Sequence, residues 1–539
     1  MQKYIFITGG VISGLGKGVL SASIGKLFQW RGLKVGMIKC DNYYNCDPGT
    51  LNPVEHGEIF VTDDVWNFNL DSNLSFKIAE IDEDFGHYER FLDLTMKPHC
   101  NITSGQVFLK VILKERKGGY LGQTIRMIPH IVDEIKRRIK MVATTEKPEI
   151  LIVEQGGTVG DIEAMPFLEA IRQLTFEVGR KNAALVHLTL VPYIDQLGEY
   201  KTKPTQTSVR ILQGLGLKPD IIICRADRGL PFMIRSKISM YCNVPVEAVI
   251  SDPDLENIYE LPLILEKQGL GVYMSKILDI PRKNPKTNDW KLLISRFKAV
   301  KRTVKIAVVG KYWGIKDSYI SIIEALKHSG ASLCIKPEII RVNSEKISVE
   351  ALINSDGILL TPGFGTRGVE GMIKAASIAL RTGKPFLGIC FGAQLGIVAY
   401  AREVMGWKEA NSTEIDPNTP YPVVDLLESQ RNIDHLGGSM RLGARSIRVL
   451  ENTMLRRLYG RNMVKERFRH RYHLNAKFVR KMAGLKISSV DAEAGNITSY
   501  ETSRRFYIGV QYHPEFKSRP TKPHPIFRGF LKAVTGMRA

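Results

Sequence analysis

The chain has 539 residues, a length that at roughly 150 residues per domain calls for three or four units or two large ones. Apolar residues make up 44% and charged residues 24%, ordinary globular usage that excludes a disordered, collagenous or coiled-coil chain. Lys+Arg 76 minus Asp+Glu 55 leaves a formal charge of +21, which favours polyanionic partners, either nucleic acid or phosphate-bearing small molecules. No apolar run reaches the roughly 18 residues a membrane helix needs, so no membrane is expected as a partner. The opening MQKYIFITGG enters a strand-like run without the pattern of a signal or transit peptide. Seven scattered cysteines with no CxxC spacing point to a reducing compartment, and the expectation is a soluble cytoplasmic protein.

Short Ile/Val-rich runs alternate with helical patterns, the signature of a parallel sheet covered on both faces. In chain order the first series is YIFIT (4–8), KVGMIKC (34–40), EILIVEQ (149–155), AALVHLTLV (183–191) and DIIICRA (220–226). Residues 281–302 carry PRKNPKTNDW and a basic stretch with no strand signal, which reads as a linker. A second series follows: VKIAVVGKY (304–312), GILLTPGFG (357–365), PFLGICFG (385–392) and YIGVQYHPEF (507–516). The expected fold class is therefore α/β, as two domains joined by a linker.

Between the first strand and a helix-compatible run lies GGVISGLGKG, Gly9 to Gly18. Glycines let backbone N–H groups close around phosphate oxygens, and the helix start after Lys17 adds a favourable dipole. The spacing differs from a Walker A loop, and Gly18 replaces its hydroxyl, so this is a variant P-loop. Lys39 and Glu154 each end a strand, which in an open α/β sheet brings both to the crevice at the carboxyl edge. A carboxylate there can hold Mg2+ on nucleotide phosphates. Taken singly, each of these residues also reads as an ordinary surface group.

In the second half, Cys390 sits in GICFG between a strand and a helix-compatible run, a sharp turn like a nucleophile elbow. A helix N-terminus and a nearby histidine favour a nucleophilic thiolate. His513 and Glu515 follow a late strand, and spacing two would point them to one face beside the thiol. From Arg441 to Lys481 there are thirteen Lys/Arg against two Asp/Glu, with Phe468, Tyr472 and Phe478 interleaved. This stripe reads either as a solvated basic face or as a nucleic-acid surface.

From end to end the chain resembles the CTP synthase family. The resemblance is carried in family order by TGGVISGLGKG, DPGTLNPVEHGEIFVTDD, GHYERF, KERKGGYLG, GGTVGDIEAMPFLEAIRQ, EYKTKPTQTSV, GFGTRGVEGMI, LGICFGAQ, ANSTE, RHRY and QYHPEF, among others. It implies a P-loop-type synthetase domain (1–280), the 281–302 linker, and a class I glutamine amidotransferase domain (303–539). The implied reaction is phosphorylation of the 4-oxygen of UTP by ATP, then displacement by ammonia from glutamine to give CTP. By resemblance Ser13, Gly14, Leu15, Gly16, Lys17, Gly18 and Val19, with Lys39 and Asp84, bind ATP and UTP. Asp84 and Glu154 hold Mg2+ by the same token. Asp161, Ile162 and Glu163 read CTP, and Lys201, Thr202, Lys203, Pro204, Thr205, Gln206 and Lys237 contact the UTP triphosphate and uracil. Cys390, His513 and Glu515 resemble the nucleophile, acid/base and orienting residue of the amidotransferase triad. Gly363 and the Phe391 N–H would form the oxyanion hole, worth about 3 kcal/mol per donor. Phe391, Gly392, Ala393, Gln394, Glu414 and Arg471, with Gly363, match glutamine-binding positions. His56 and Ile59 lie at the implied ammonia gate. The resemblance also implies GTP as activator, CTP as inhibitor, a homotetramer and filaments; with those motifs in hand a nucleic acid is not expected as partner.

Four departures accompany the match. Roughly thirteen extra residues lie between VTDD and GHYERF, so that counting forward nominates Asp71 as the metal ligand and counting back nominates Asp84. Pro362 precedes Gly363 where the family has glycine, and a proline fixes φ and removes a donor. Gly119 stands where the family carries an aspartate, and His473 and Asn42 replace a glutamate and a proline. These leave open an ammonia-only synthase, or a nucleotide-binding scaffold with an impaired glutaminase.

Overall fold

The computed structural model describes residues 2–70, 74–314, 316–430, 437–503 and 505–537. They form two compact units that do not follow the chain simply. One comprises Met1–Asp47, Asn69–Ser75 and His87–Ile294; the other comprises Pro48–Phe68, Phe76–Gly86 and Ser295–Ala539. Asp71, the alternative metal ligand, lies outside the described residues.

The first unit is built on a seven-stranded sheet. Its order runs Val249–Pro253, Ile221–Ala226, Ala183–Leu190, Lys3–Gly9, Ile150–Gln155, Val35–Asp41 and Asn101–Thr103. Every pairing is parallel. Strands buried on both faces read as continuous apolar runs, which is why five of the seven are visible in the sequence. Lys3–Gly9 sits where the connections diverge, with Ile150–Gln155 on one side and Ala183–Leu190 on the other. Open sheets of this kind bind ligands at such a switch point, beyond the strands' carboxyl ends.

In the second unit a nine-stranded sheet runs Ile335–Asn343, Arg302–Gly310, Gly357–Leu360, Phe386–Ile389, Tyr507–Val510, Ile497–Thr502, Leu485–Asp491, Arg441–Val449 and Met463–His470. The first five pair in parallel and the last four extend the sheet antiparallel, so the α/β fold expected for this half is built on a mixed sheet. VTDD and the extra segment after it form a two-stranded sheet, Phe60–Asn69 with Ser75–Ile81. Residues 281–302, read as a linker, include the helix Asn288–Lys298. Among the described residues no helix is long and apolar enough to cross a membrane.

Candidate active sites

At the carboxyl edge of the first sheet the glycine loop turns through left-handed backbone, with φ of 74° at Gly14 and 89° at Gly16, before the helix Lys17–Trp30 begins. Residues without a Cβ adopt this at least cost, and the turn aims the first N–H groups of the helix outward. Lys17 Nζ donates to the carbonyl of Gly157 at 2.7 Å, and Val159 N–H donates to Gly9 O at 2.8 Å, so the loop meets the 156–161 turn. In that turn Asp161 accepts from Thr158 N–H at 2.7 Å, while Asp161, Ile162 and Glu163 stay exposed. Gly10 packs against the helix Lys203–Gly214, where a Cβ would lie 1.7 Å from Ser208 Oγ. Behind it His187 bridges Thr8 (2.9 Å) and Ser208 (2.8 Å), its pKa pushed down to about 3 by burial and by Lys17.

Lys39 and Glu154 are register partners on adjacent strands and form a buried ion pair of 3.0 Å. Tyr88 donates to the other Glu154 oxygen at 2.6 Å. Of the UTP-motif residues, Thr202, Thr205 and Gln206 are buried at the start of Lys203–Gly214, held by Gln206 to Thr202 (3.0 Å) and Thr205 to Thr189 (2.9 Å). Lys201 pairs with Glu199, on which the exposed Lys237 also acts. Asp84 opens the helix Asp84–Leu92, its N–H capped by Asp82 at 2.9 Å. Among the described residues no three His, Cys, Asp or Glu form a preassembled metal cluster. Gly119 is sterically fixed: a Cβ there would lie 2.8 Å from Lys114 Cγ and 3.0 Å from its carbonyl oxygen.

The second unit carries the thiol site. Cys390 ends the strand Phe386–Ile389 at φ 52°, ψ −107°, left-handed backbone rare for a residue with a Cβ, and the helix Phe391–Glu403 starts on the next residue. This strained turn is the expected elbow. Close packing enforces it, since a Cβ at Gly392 would lie 2.3 Å from Leu360 O. The thiol donates to Arg469 O at 3.5 Å and accepts from Gln511 Nε2 at 3.8 Å.

His513 Nδ1 meets Glu515 Oε1 at 2.7 Å, both side chains being buried. The contact arises differently from the strand geometry expected: Tyr507–Val510 has ended, and Pro514–Lys517 curls as a 3-10 turn that brings Glu515 back under the ring. Burial opposes charge on His513, but Glu515 and Cys390 outweigh it and raise its pKa to about 10. Its Nε2 is buried without a hydrogen-bond partner among the described residues, on the wall of the same cavity as Cys390, and a histidine beside a cysteine can activate it as a nucleophile.

A cavity of about 330 Å³ opens on this site, lined by Cys390, His513, Gln394, Glu414, Arg471 and Gly363, and also by Gly49–Leu51 and Arg469. Its volume suits a small metabolite, and a carboxylate opposite a guanidinium complements a zwitterionic amino acid. Glu414 accepts from Gly365 N–H at 2.6 Å; Arg471 reaches Gln430 (3.1 Å) and Ser439 (2.8 Å); Gln394 donates to Tyr472 O at 2.8 Å. A smaller space nearby is lined by Ile59, Glu58, Tyr319, His513 and Phe516, whereas His56 is exposed.

Two residues of this site escaped the sequence reading. Gln511 was inside a quoted motif with no assigned part. Lys311 ends the strand Arg302–Gly310 much as Lys39 ends its own, a signal that would have found it. Its Nζ donates to Phe364 O (2.6 Å) and Gly365 O (3.0 Å) and lies 4.5 Å over the Phe391 ring. Burial pushes its pKa down to about 8 against the pull of Glu414. Lys311 and Glu414 thus pin the Pro362–Gly365 loop from two sides, and Pro362 sits within a held turn. The basic stripe, by contrast, loses its two surface readings in part: Arg441, Arg467 and Arg469 are paired with Asp491, Asp63 and Glu80 in the interior of the unit.

Residues 3–280 match the family model CTP synthase N-terminus, and residues 314–533 match Glutamine amidotransferase class-I. The CTP synthase of Pyrococcus furiosus is 50% identical over 541 residues, covering 99% of this chain and 98% of that one. The CTP synthase of Thermus thermophilus is 47% identical over 545 residues, covering 99% and 97%. Among solved structures, the glutaminase domain of Trypanosoma brucei CTPS with bound acivicin is 34% identical over 44% of this chain and 95% of its own, at a TM-score of 0.41.

Proposed function

The chain belongs to the CTP synthase family and converts UTP to CTP in an ATP-dependent reaction that draws nitrogen from glutamine, and we propose that its residues divide that work as follows. The amidotransferase part, 303–539, releases ammonia; the synthetase part, 1–280, spends ATP to make the uracil 4-oxygen a leaving group; 281–302 joins them. Cys390 attacks the carboxamide carbon of glutamine, and the N–H groups of Gly363 and Phe391 receive the oxyanion. His513, held by Glu515, hands its proton to the departing ammonia. Glu414 and Arg471 take the α-ammonium and α-carboxylate, with Gln394 and residues 391–393 beneath. Ammonia near neutral pH is mostly protonated, so passage past Ile59 and His56 keeps it reactive.

In the synthetase part, Ser13 to Val19 and Lys39 gather the ATP phosphates, Lys201–Gln206 with Lys237 hold the UTP triphosphate, and Asp161–Glu163 read CTP. Phosphoryl transfer needs chiefly positioning and charge neutralisation. Mg2+ would supply that neutralisation, held by Asp84 and Glu154. Mg2+ usually takes one or two protein carboxylates plus phosphate oxygens, and Glu154 would have to share its oxygens with Lys39 and Tyr88. GTP activation, CTP inhibition, a homotetramer that forms filaments, and a cytoplasmic setting complete the proposal.

The observation that carries the reading is the convergence of Cys390, His513, Glu414 and Arg471 on one cavity, with Glu515 bonded to His513 behind it. The test is CTP formation from UTP, ATP and Mg2+, with glutamine or with ammonium. Cys390→Ala is expected to lose only the glutamine-driven reaction; equal loss of both refutes the division of labour.

A further inference from the structure

Inside the second unit, the paired strands Phe60–Asn69 and Ser75–Ile81 grip the strand whose carbonyls hold both Cys390 and His513. That strand, Met463–His470, offers two carbonyls to the thiol site: Arg467 O accepts the backbone N–H of His513 at 2.8 Å, and Arg469 O accepts the Cys390 thiol at 3.5 Å. Residues 467 and 469 share one face of the strand. Their guanidiniums are nearly buried, and each is met by an acid from the 60–81 hairpin. Glu80, 1% exposed, accepts from Arg469 Nε at 2.6 Å. Asp63 pairs with Arg467 and lies 3.5 Å from Lys517 Nζ. Arg469 Nη2 also donates to Gly49 O (3.2 Å), in the wall of the cavity. A second contact reaches the histidine: Phe60 packs edge-on against Phe516 at 5.0 Å, and Phe516 stacks on the His513 ring at 5.2 Å.

We propose that this hairpin is a built-in clamp on the amidotransferase centre, with Glu80 and Asp63 as positioning residues for glutamine hydrolysis that act through Arg469 and Arg467. The proposal rests on the assignment of Cys390 and His513 as nucleophile and acid/base. A buried guanidinium deprived of its carboxylate seeks another anion. Arg469 lines the cavity together with the carboxylate of Glu414, so a guanidinium released from Glu80 turns toward it, its strand shifts, and the carbonyls that register thiol and imidazole shift with it. Glu80 lies in the stretch between VTDD and GHYERF, and Asp63 and Phe60 lie in the motif before it, so the clamp joins the extra segment to a family motif.

The experiment uses the full chain with Glu80→Ala and Glu80→Gln, measuring glutamine-driven and ammonium-driven CTP formation side by side. Glu80→Ala is expected to lower kcat with glutamine by about tenfold or more, as loss of active-site registration does. KM for glutamine should change less than about threefold, ammonium-driven activity less than about twofold, and Glu80→Gln should recover part of the loss by keeping an acceptor. Unchanged glutamine-driven kcat in Glu80→Ala overturns the clamp. So does parallel loss of both activities in the two variants, which marks a merely structural residue. A parent chain active with ammonium but inert with glutamine would instead strike the triad assignment, and the clamp with it, before any variant is compared.

Discussion

Replacing Lys311 with methionine tests the proposed oxyanion role of the Pro362–Gly365 loop, which Lys311 holds. Methionine fills the space of the aliphatic stem and removes two hydrogen bonds from a charged donor, to Phe364 O and Gly365 O. Each such bond contributes about 1.5–3 kcal/mol, while the variant no longer bears the cost of burying an ammonium. A net loss of about 2–4 kcal/mol in loop positioning follows, which at 1.36 kcal/mol per decade is roughly 30- to 900-fold in glutamine-driven kcat/KM. This is the scale expected for misplacing one oxyanion donor. The assay is steady-state CTP formation with glutamine, with ammonium as the internal control, which should move less than about twofold. pH provides a second readout. Lys311 loses its proton as pH rises through about 8, so glutamine-driven activity of the parent should fall there and the methionine variant should lack that limb. Stability moves the other way. Between about 8 and the ordinary lysine value the unfolded chain binds the extra proton, so this group's contribution to stability rises with pH. A variant within about threefold of the parent, or a limb near pH 8 that persists in it, would count against the role of Lys311.

Glu154→Gln breaks a buried ion pair with Lys39. The expected cost is about 3–5 kcal/mol, a calorimetric Tm lower by roughly 6–20 °C, with loss of ATP-dependent CTP formation even from ammonium; an unchanged Tm would contradict the pairing. Glu515→Gln removes the charge that lifts the His513 pKa to about 10. Protonation of a group with a raised pKa stabilises the fold below the ordinary histidine range and is lost as pH rises through the raised value. The variant should therefore show its alkaline limb of glutamine hydrolysis, and its loss of stability, shifted toward neutral pH, and an unmoved limb would count against the triad.

The sequence exposes the fold where burial is two-sided. Lys3–Gly9, Ile150–Gln155 and Ala183–Leu190 are apolar at nearly every position because both faces are covered. Asn101–Thr103, at three residues, is too short to carry a pattern. Arg441–Val449 and Met463–His470 are strands disguised by arginines, whose partners Asp63, Glu80 and Asp491 lie far off in sequence or across a sheet. A charge run is then indistinguishable from a solvated face. The site was legible where backbone strain leaves a residue signature: the glycine loop at Gly14 and Gly16, and the elbow at Cys390 with small neighbours. The pairing of His513 with Glu515 was legible from spacing, but its cause was not, since a proline-led 3-10 turn rather than a strand supplies it. Lys311 was missed because its significance lies in two carbonyls more than fifty positions away.

In the proposed division of labour one thiol frees the nitrogen and a separate phosphate-binding crevice activates the pyrimidine. Turnover of glutamine labelled with 15N in its amide, with UTP labelled with 18O at the 4-position, tests both halves in one tube by mass spectrometry. The expected products are CTP with 15N in its exocyclic amine and phosphate carrying 18O. Label from glutamine appearing only as free ammonium, or 18O appearing in water rather than phosphate, would contradict that division.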